Sequence, residues 1–294
     1  MSFDLVVLDF DGTFTDAEAE AGPFIRAYRR EAQRWLSARG MEAPERAWDA
    51  MQAHVEASPE TYGWSWEGRV VAPGGVDPYL RASVIMTALL DAEGLLREPE
   101  ERRSLLQRLY AECYLASETV FRSDARAVVE ALLASPLHVA VVTNSSPHAV
   151  SRKLDTLAPR GREQLKVFGD AEKYVVTPAE PSDARFDALP ETVAAPGLDR
   201  PVYLRRGRYY ETLRALWEAV GTGPERTLVA GDIYELDLAL PAALGAGVQL
   251  VGKARTMRYE RAMVRALPRG REGERLSDLL ARVGLDAGAS AASA

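Results

Sequence analysis

The sequence predicts an α/β fold, a doubly wound parallel sheet with a second, helical module inserted after its first strand. Three observations carry this. Four short runs, Leu5–Leu8, Leu137–Val142, Thr227–Ala230 and Val248–Val251, are mostly β-branched or Leu and do not alternate, as parallel strands covered on both faces should be. Helical patterns at Asp124–Leu133, His148–Leu157, Tyr209–Val220 and Leu236–Leu244 fall between or beside them, and strand–helix–strand order implies right-handed crossovers. Between Thr15 and about Arg122 the pattern is helical almost throughout, at Pro23–Ala38, Glu45–Glu56, Asp77–Leu96 and Pro99–Ala116.

That stretch is far too long for a simple crossover. Residues 16–122 therefore read as an inserted helical domain, and 1–15 with 123–285 as the α/β core. Within the core, Tyr174–Thr177 and Pro201–Leu204 are strand-like around a Pro- and Ala-rich segment, which suggests a small hairpin insertion over 174–204. The last residues, 286–294, are small and featureless and are expected to be disordered.

Composition narrows the function. Among 294 residues the formal charge is −7, which argues against a nucleic-acid or general polyanion binder. The chain opens without a signal-peptide pattern and holds no run near the ~18 apolar residues of a membrane span, so a cytoplasmic protein with no membrane partner is expected. One cysteine, Cys113, excludes an internal disulfide and reads as a buried small hydrophobe. Only four of the 36 basic residues are lysines (Lys153, Lys166, Lys173, Lys253). A reaction that needs a lysine has few candidates.

Three strand ends carry the chemistry. The first reads Asp9-Phe10-Asp11-Gly12-Thr13. On extended backbone Asp9 and Asp11 point the same way, Gly12 permits a sharp turn, and ligands of open α/β sheets bind at the carboxyl ends of strands. Two adjacent carboxylates repel unless a cation or proton holds them, a spacing natural around Mg²⁺. The second end, Thr143-Asn144-Ser145-Ser146-Pro147, places a hydroxyl before a helix start, which suits an anion, although taken alone an ordinary N-cap is the simpler reading. The third, Gly231-Asp232 through Asp237, offers Asp232 as a metal ligand, with Asp237 supporting it or serving the helix dipole.

These residues resemble the motifs of the haloacid dehalogenase superfamily. Asp9-x-Asp11-Gly12-Thr13 matches its first motif, Thr143 its second, and Gly231-Asp232 through Asp237 its fourth. The resemblance implies a Rossmann-like core and a C1-type helical cap over 16–122 that closes over the site. It implies a Mg²⁺-dependent phosphohydrolase acting on a small phosphorylated metabolite, as a monomer or homodimer. Asp9 would be the nucleophile and Asp11 the general acid and base. Mg²⁺ would be held by Asp9, by the Asp11 carbonyl and by Asp232, with Asp237 in support. Gly12, Thr143 and Asn144 would contact the phosphate. The third motif, a basic residue ahead of the last catalytic helix, departs from the pattern. Lys173 lies 30 residues beyond Thr143, near the usual spacing, but 59 before Asp232. Arg206 or Arg208 sits closer to Asp232. Lys173 and Arg206 are both carried as catalytic candidates.

A phosphomutase with the same residues, and a binding or regulatory protein that has lost turnover, are the alternatives. Carbon–halogen hydrolysis has no use for the acid Asp11, and phosphonate cleavage through a cap lysine has no lysine in 16–122. His54, His138 and His148 do not cluster and read as structural. Trp64 and Trp66, in an expected loop of the insertion, could meet an apolar part of the substrate or simply pack the cap.

Overall fold

The computed structural model describes residues 2–285; the tail 286–294 lies outside the described residues. The chain divides into two compact units, one running up to Asp16 and resuming at Phe121, the other spanning Ala17–Val120.

The first unit opens with β1 (Leu5–Leu8), all four residues buried. The second unit then supplies α1 (Ala17–Ser37), α2 (Pro44–Ala57), the hairpin β2 (Gly63–Trp66) with β3 (Arg69–Pro73), α3 (Pro78–Ala92) and α4 (Pro99–Tyr114). Its core packs Phe24, Tyr28, Trp48, Met86, Leu89 and Leu109 together, with Cys113 buried among them. The insertion is therefore not helical throughout, and Trp64 and Trp66 lie on β2, not in a loop. The reason is the Glu67-Gly68 turn. Both residues have positive φ (48° and 75°), the geometry that a tight two-residue hairpin demands. α1 also starts at Ala17, six residues before Pro23, which lies inside the helix.

Back in the first unit come α5 (Ala125–Leu133), β4 (His138–Val142), α6 (Pro147–Leu157), β5 (Lys166–Phe168), α7 (Ala184–Asp187), the pair β6 (Thr192–Val193) and β7 (Val202–Tyr203), and α8 (Gly207–Val220). Then follow β8 (Thr227–Gly231), a π-helical turn (Tyr234–Leu238), α9 (Ala239–Ala243), β9 (Gly247–Val251), α10 (Arg258–Ala266), β10 (Gly270–Gly273) and a 3₁₀ segment (Leu276–Val283).

The six-stranded sheet runs β10-β9-β8-β1-β4-β5, and every pairing is parallel. The chain leaves β1 toward β4 and β5, then crosses to β8 on the other side of β1. That reversal places a crevice at the carboxyl end of β1. Alternate residues of β1 face opposite layers: Leu5 and Val7 join one apolar core, Val6 and Leu8 the other. The edge strands β5 and β10 escape a hydrophobic reading of the sequence because they are short, and β10 reads Gly-Arg-Glu-Gly.

The 174–204 segment holds a hairpin, but not the expected one. Val202–Tyr203 pairs antiparallel with Thr192–Val193. Tyr174–Thr177 is not a strand: Val175 N–H turns back to the Glu172 carbonyl, and Thr177 offers its carbonyl to Gly207 N–H.

Candidate active site

All the sequence-predicted site residues lie in the first unit: Asp9, Asp11, Gly12, Thr143, Asn144 and Asp232 just beyond β1, β4 and β8, Lys173 on the loop after β5, Arg206 ahead of α8 and Asp237 in the π-helical turn. Asp9 follows β1, is 8% exposed, and donates its backbone N–H to the Ala230 carbonyl of β8 at 2.8 Å. Its carboxylate is held at both oxygens. Lys173 Nζ donates to Oδ1 at 2.8 Å, and Thr13 Oγ1 donates to Oδ2 at 3.2 Å.

Lys173 is 1% exposed and also donates to Asp237 Oδ1 at 2.8 Å. Burial works against the Lys173 ammonium, but the Asp237 and Asp9 carboxylates outweigh it and hold the group above the usual lysine range. Burial pushes the Asp9 carboxyl well up, and the Asp237 carboxylate adds to the push against Lys173. The loop that aims Lys173 is locked to the end of β4. Ala171 N–H bonds the Thr143 carbonyl and Asp170 N–H the Ser145 carbonyl, each at 3.0 Å. Lys173 N–H bonds Asn144 Oδ1 at 2.7 Å. Asp170 and Glu172 both adopt positive φ (49° and 45°). Such left-handed non-glycine residues are costly and concentrate at functional turns.

Arg206, the other third-motif candidate, is fully buried but acts through backbone. It donates to the Lys173 carbonyl at 2.8 Å and to the Tyr203 carbonyl at 3.2 Å. Arg208 is exposed beside Glu172 and Glu211. The ammonium on Asp9 therefore belongs to Lys173.

Asp11 lies beside α6. Ser145 Oγ donates to Asp11 Oδ2 at 2.5 Å and Lys153 Nζ to Oδ1 at 2.9 Å. Thr143 is buried, and its Oγ1 accepts from Ser145 N–H at 3.1 Å. Asp232 is 2% exposed and pairs with Lys253. Asp237 Oδ2 caps Ile233 N–H at 3.0 Å. Glu260 steadies that turn by accepting Tyr234 N–H at 2.9 Å, and burial pushes its carboxyl up to about 8. Gly12 has φ +86°, and a Cβ there would stand 2.2 Å from Asp232 Oδ2. Only glycine lets this loop approach Asp232 so closely.

Asp9, Asp232 and Asp237 offer carboxylate oxygens that all lie within 4.8 Å of one another. Hard oxygen donors clustered in this way fit Mg²⁺, not a soft or imidazole-seeking metal.

Four contacts escaped the sequence reading: Thr13 on Asp9, Ser145 and Lys153 on Asp11, and Lys253 on Asp232. One signal could have found two of them. Of the four lysines, three are ion-paired with the site's acids, and only Lys166 stands apart, exposed on β5.

Comparison with known families decides the classification. The model of haloacid dehalogenase-like hydrolases matches residues 3–245. The chain belongs to the haloacid dehalogenase-like hydrolase family. Solved structures share its fold. One is described as a predicted phosphoglycolate phosphatase from Haemophilus somnus 129PT, at 15% identity, TM-score 0.54, covering 96% of this chain and 98% of that one. Another is a haloacid dehalogenase-like family hydrolase from Xanthomonas campestris, at 15% identity, TM-score 0.52, covering 96% and 95%. A third is the HAD-hydrolase YfnB from Bacillus subtilis, bound to magnesium, at 14% identity, TM-score 0.50, covering 97% and 100%. Comparison with curated proteins gives no match. Among the described residues, no helix of this hydrolase is long and apolar enough to cross a membrane.

Proposed function

We propose that this hydrolase is a Mg²⁺-dependent phosphohydrolase that cleaves a small phosphate monoester. The observation that supports it most is the Lys173 ammonium shared between Asp9 and Asp237, with a second carboxylate, Asp11, two residues from the first. Mg²⁺, held by Asp9, Asp232 and Asp237 with the Asp11 backbone carbonyl, would neutralise charge between an anionic nucleophile and an anionic substrate.

The remaining chemistry is assigned to the chain itself. Lys173 and Thr13 fix the rotation of the Asp9 carboxylate, so that it meets phosphorus along one line. Attack forms an Asp9–phosphate anhydride as the ester P–O bond breaks. Asp11 gives its proton to the departing alkoxide and then takes one from the water that hydrolyses the anhydride. A halide leaves without a proton, so Asp11 favours phosphate over halide chemistry. The Thr143 hydroxyl and the amides at the start of the β4–α6 loop are suited to the phosphate oxygens.

The test is phosphate release from p-nitrophenyl phosphate and a panel of small phosphate monoesters, with Mg²⁺ and with EDTA. The reading expects release that requires the metal. Isomerised product without free phosphate would replace it with a mutase, and binding of beryllofluoride without turnover would replace it with a silent family member.

A further inference from the structure

One cation beside the carboxylate cluster comes from outside the matched motifs. Lys253 belongs to no motif of the sequence, yet its ammonium sits on Asp232. Its side chain is 10% exposed and that of Asp232 2%, so water screens the pair little. The placement is built in. Lys253 stands two residues beyond β9, and its N–H bonds Thr256 Oγ1 at 2.9 Å. Next to it, Gly252 N–H bonds the Gly273 carbonyl of β10 at 2.7 Å. The Gly252 carbonyl accepts from Arg122, whose guanidinium also binds the Gly12 carbonyl at 2.9 Å. The turn carrying Lys253 and the loop carrying Asp11 and Gly12 are thus clamped by one side chain.

The charges explain why this matters. Asp9, Asp11, Asp232 and Asp237 are matched by Lys153, Lys173 and Lys253. Lys173 already serves Asp9 and Asp237. Asp232 is the remaining member of the buried carboxylate set, and its Oδ2 is engaged by Lys253. A divalent ion reaching Asp232 meets a positive charge one carboxylate away. It must share the ligand against that repulsion or drive the ammonium off.

We propose that Lys253 is an internal counter-cation of the metal-binding carboxylate Asp232, and that a divalent ion gains Asp232 by displacing the Lys253 ammonium. The inference rests on the metal-dependent reading of the site. It makes Lys253 a residue that sets metal affinity. It keeps Asp232 paired before the metal arrives, and it makes release of a lysine the signature of metal binding.

Two measurements on the full chain test it. The first is titration calorimetry of Mg²⁺ into wild type, Lys253→Met and Lys253→Arg. Lys253→Met is expected to bind Mg²⁺ at least about tenfold more tightly, because removing one partner leaves Asp232 uncompensated; Lys253→Arg, which keeps the charge, should gain much less. The second uses wild type alone, so it does not depend on how a variant folds. Lysine acetylation is mapped by mass spectrometry with and without Mg²⁺, using exposed Lys166 as reference. Labelling of Lys253 should rise when Mg²⁺ binds. Mg²⁺ binding to wild type with Lys253 labelling unchanged and Lys253→Met affinity unaltered would overturn the proposal and leave the metal-dependent reading standing. Absence of Mg²⁺ binding in both wild type and Lys253→Met would overturn both.

Discussion

Arg206 donates a hydrogen bond to the backbone carbonyl of Lys173 at 2.8 Å, across 33 residues of chain. The two candidates for one catalytic position are therefore neighbours with different tasks. Lys173 supplies the ammonium, and Arg206 holds the backbone that aims it. The 174–204 segment is a loop closed at its base by this bond and by Gly207 N–H on the Thr177 carbonyl at 3.0 Å.

Substitution of the two should separate those tasks. Lys173→Met removes the charge between Asp9 and Asp237 and should lower kcat by about 10²–10³-fold. It should also cost about 3–5 kcal/mol of stability, because two buried carboxylates lose their partner. Arg206→Met should lower kcat less, and Lys173→Arg should not restore activity, since a planar fork does not replace a compact ammonium. Steady-state kinetics and urea denaturation measure both. Equal activity of Lys173→Met and wild type would remove Lys173 from the mechanism.

Gly12→Ala tests the close approach of the loop to Asp232. The left-handed backbone alone costs an alanine about 1–2 kcal/mol, and its Cβ would overlap Asp232. The loop or Asp232 must shift, so Mg²⁺ affinity should fall by more than the stability loss accounts for. Calorimetry with Mg²⁺, compared with the change in Tm, checks this.

Lys153 and Ser145 hold the Asp11 carboxylate from two sides. Lys153→Met should lower kcat about tenfold, less than the roughly 10²–10⁴-fold that an acid–base group itself contributes, with KM nearly unchanged. Lys153→Arg should recover part of the loss. A parallel rise in KM would instead make Lys153 a substrate-binding group.

Glu130, on α5, gives a pH-dependent test of the scaffold. The Arg160 N–H, with Arg126 and the Arg160 side chain in addition, outweighs burial and lowers its carboxyl to about 2. A carboxyl lowered in the folded state stabilises above its unfolded value, about 4.3. That contribution disappears as pH falls from there toward 2. Glu130→Gln should therefore cost about 1 kcal/mol at pH 7, screened as surface pairs are, and nothing once pH has fallen below 2. Denaturant titrations across that range check it.

The strands buried on both faces were legible because their sequence is mostly Val, Leu and Ala and does not alternate. The edge strands were not, since β10 is half glycine. Asp9, Asp11, Asp232 and Asp237 announced themselves by standing where apolar strands stop. Lys173 could not be separated from Arg206 by spacing, because the inserted loop lengthens the chain without moving its ends. Ser145, Lys153 and Lys253 reach the site from a helix and from turns, where no period marks them. The scarcity of lysine narrowed the basic position to Lys173 but gave Lys153 and Lys253 no role.

The central claim is that Asp9 carries the phosphoryl group. It is tested most directly by Mg²⁺-dependent phosphate release from p-nitrophenyl phosphate by Asp9→Asn beside wild type. Wild type should turn over and the variant should lose on the order of 10³-fold or more, with the fold intact by circular dichroism. An Asp9→Asn protein as active as wild type would contradict it.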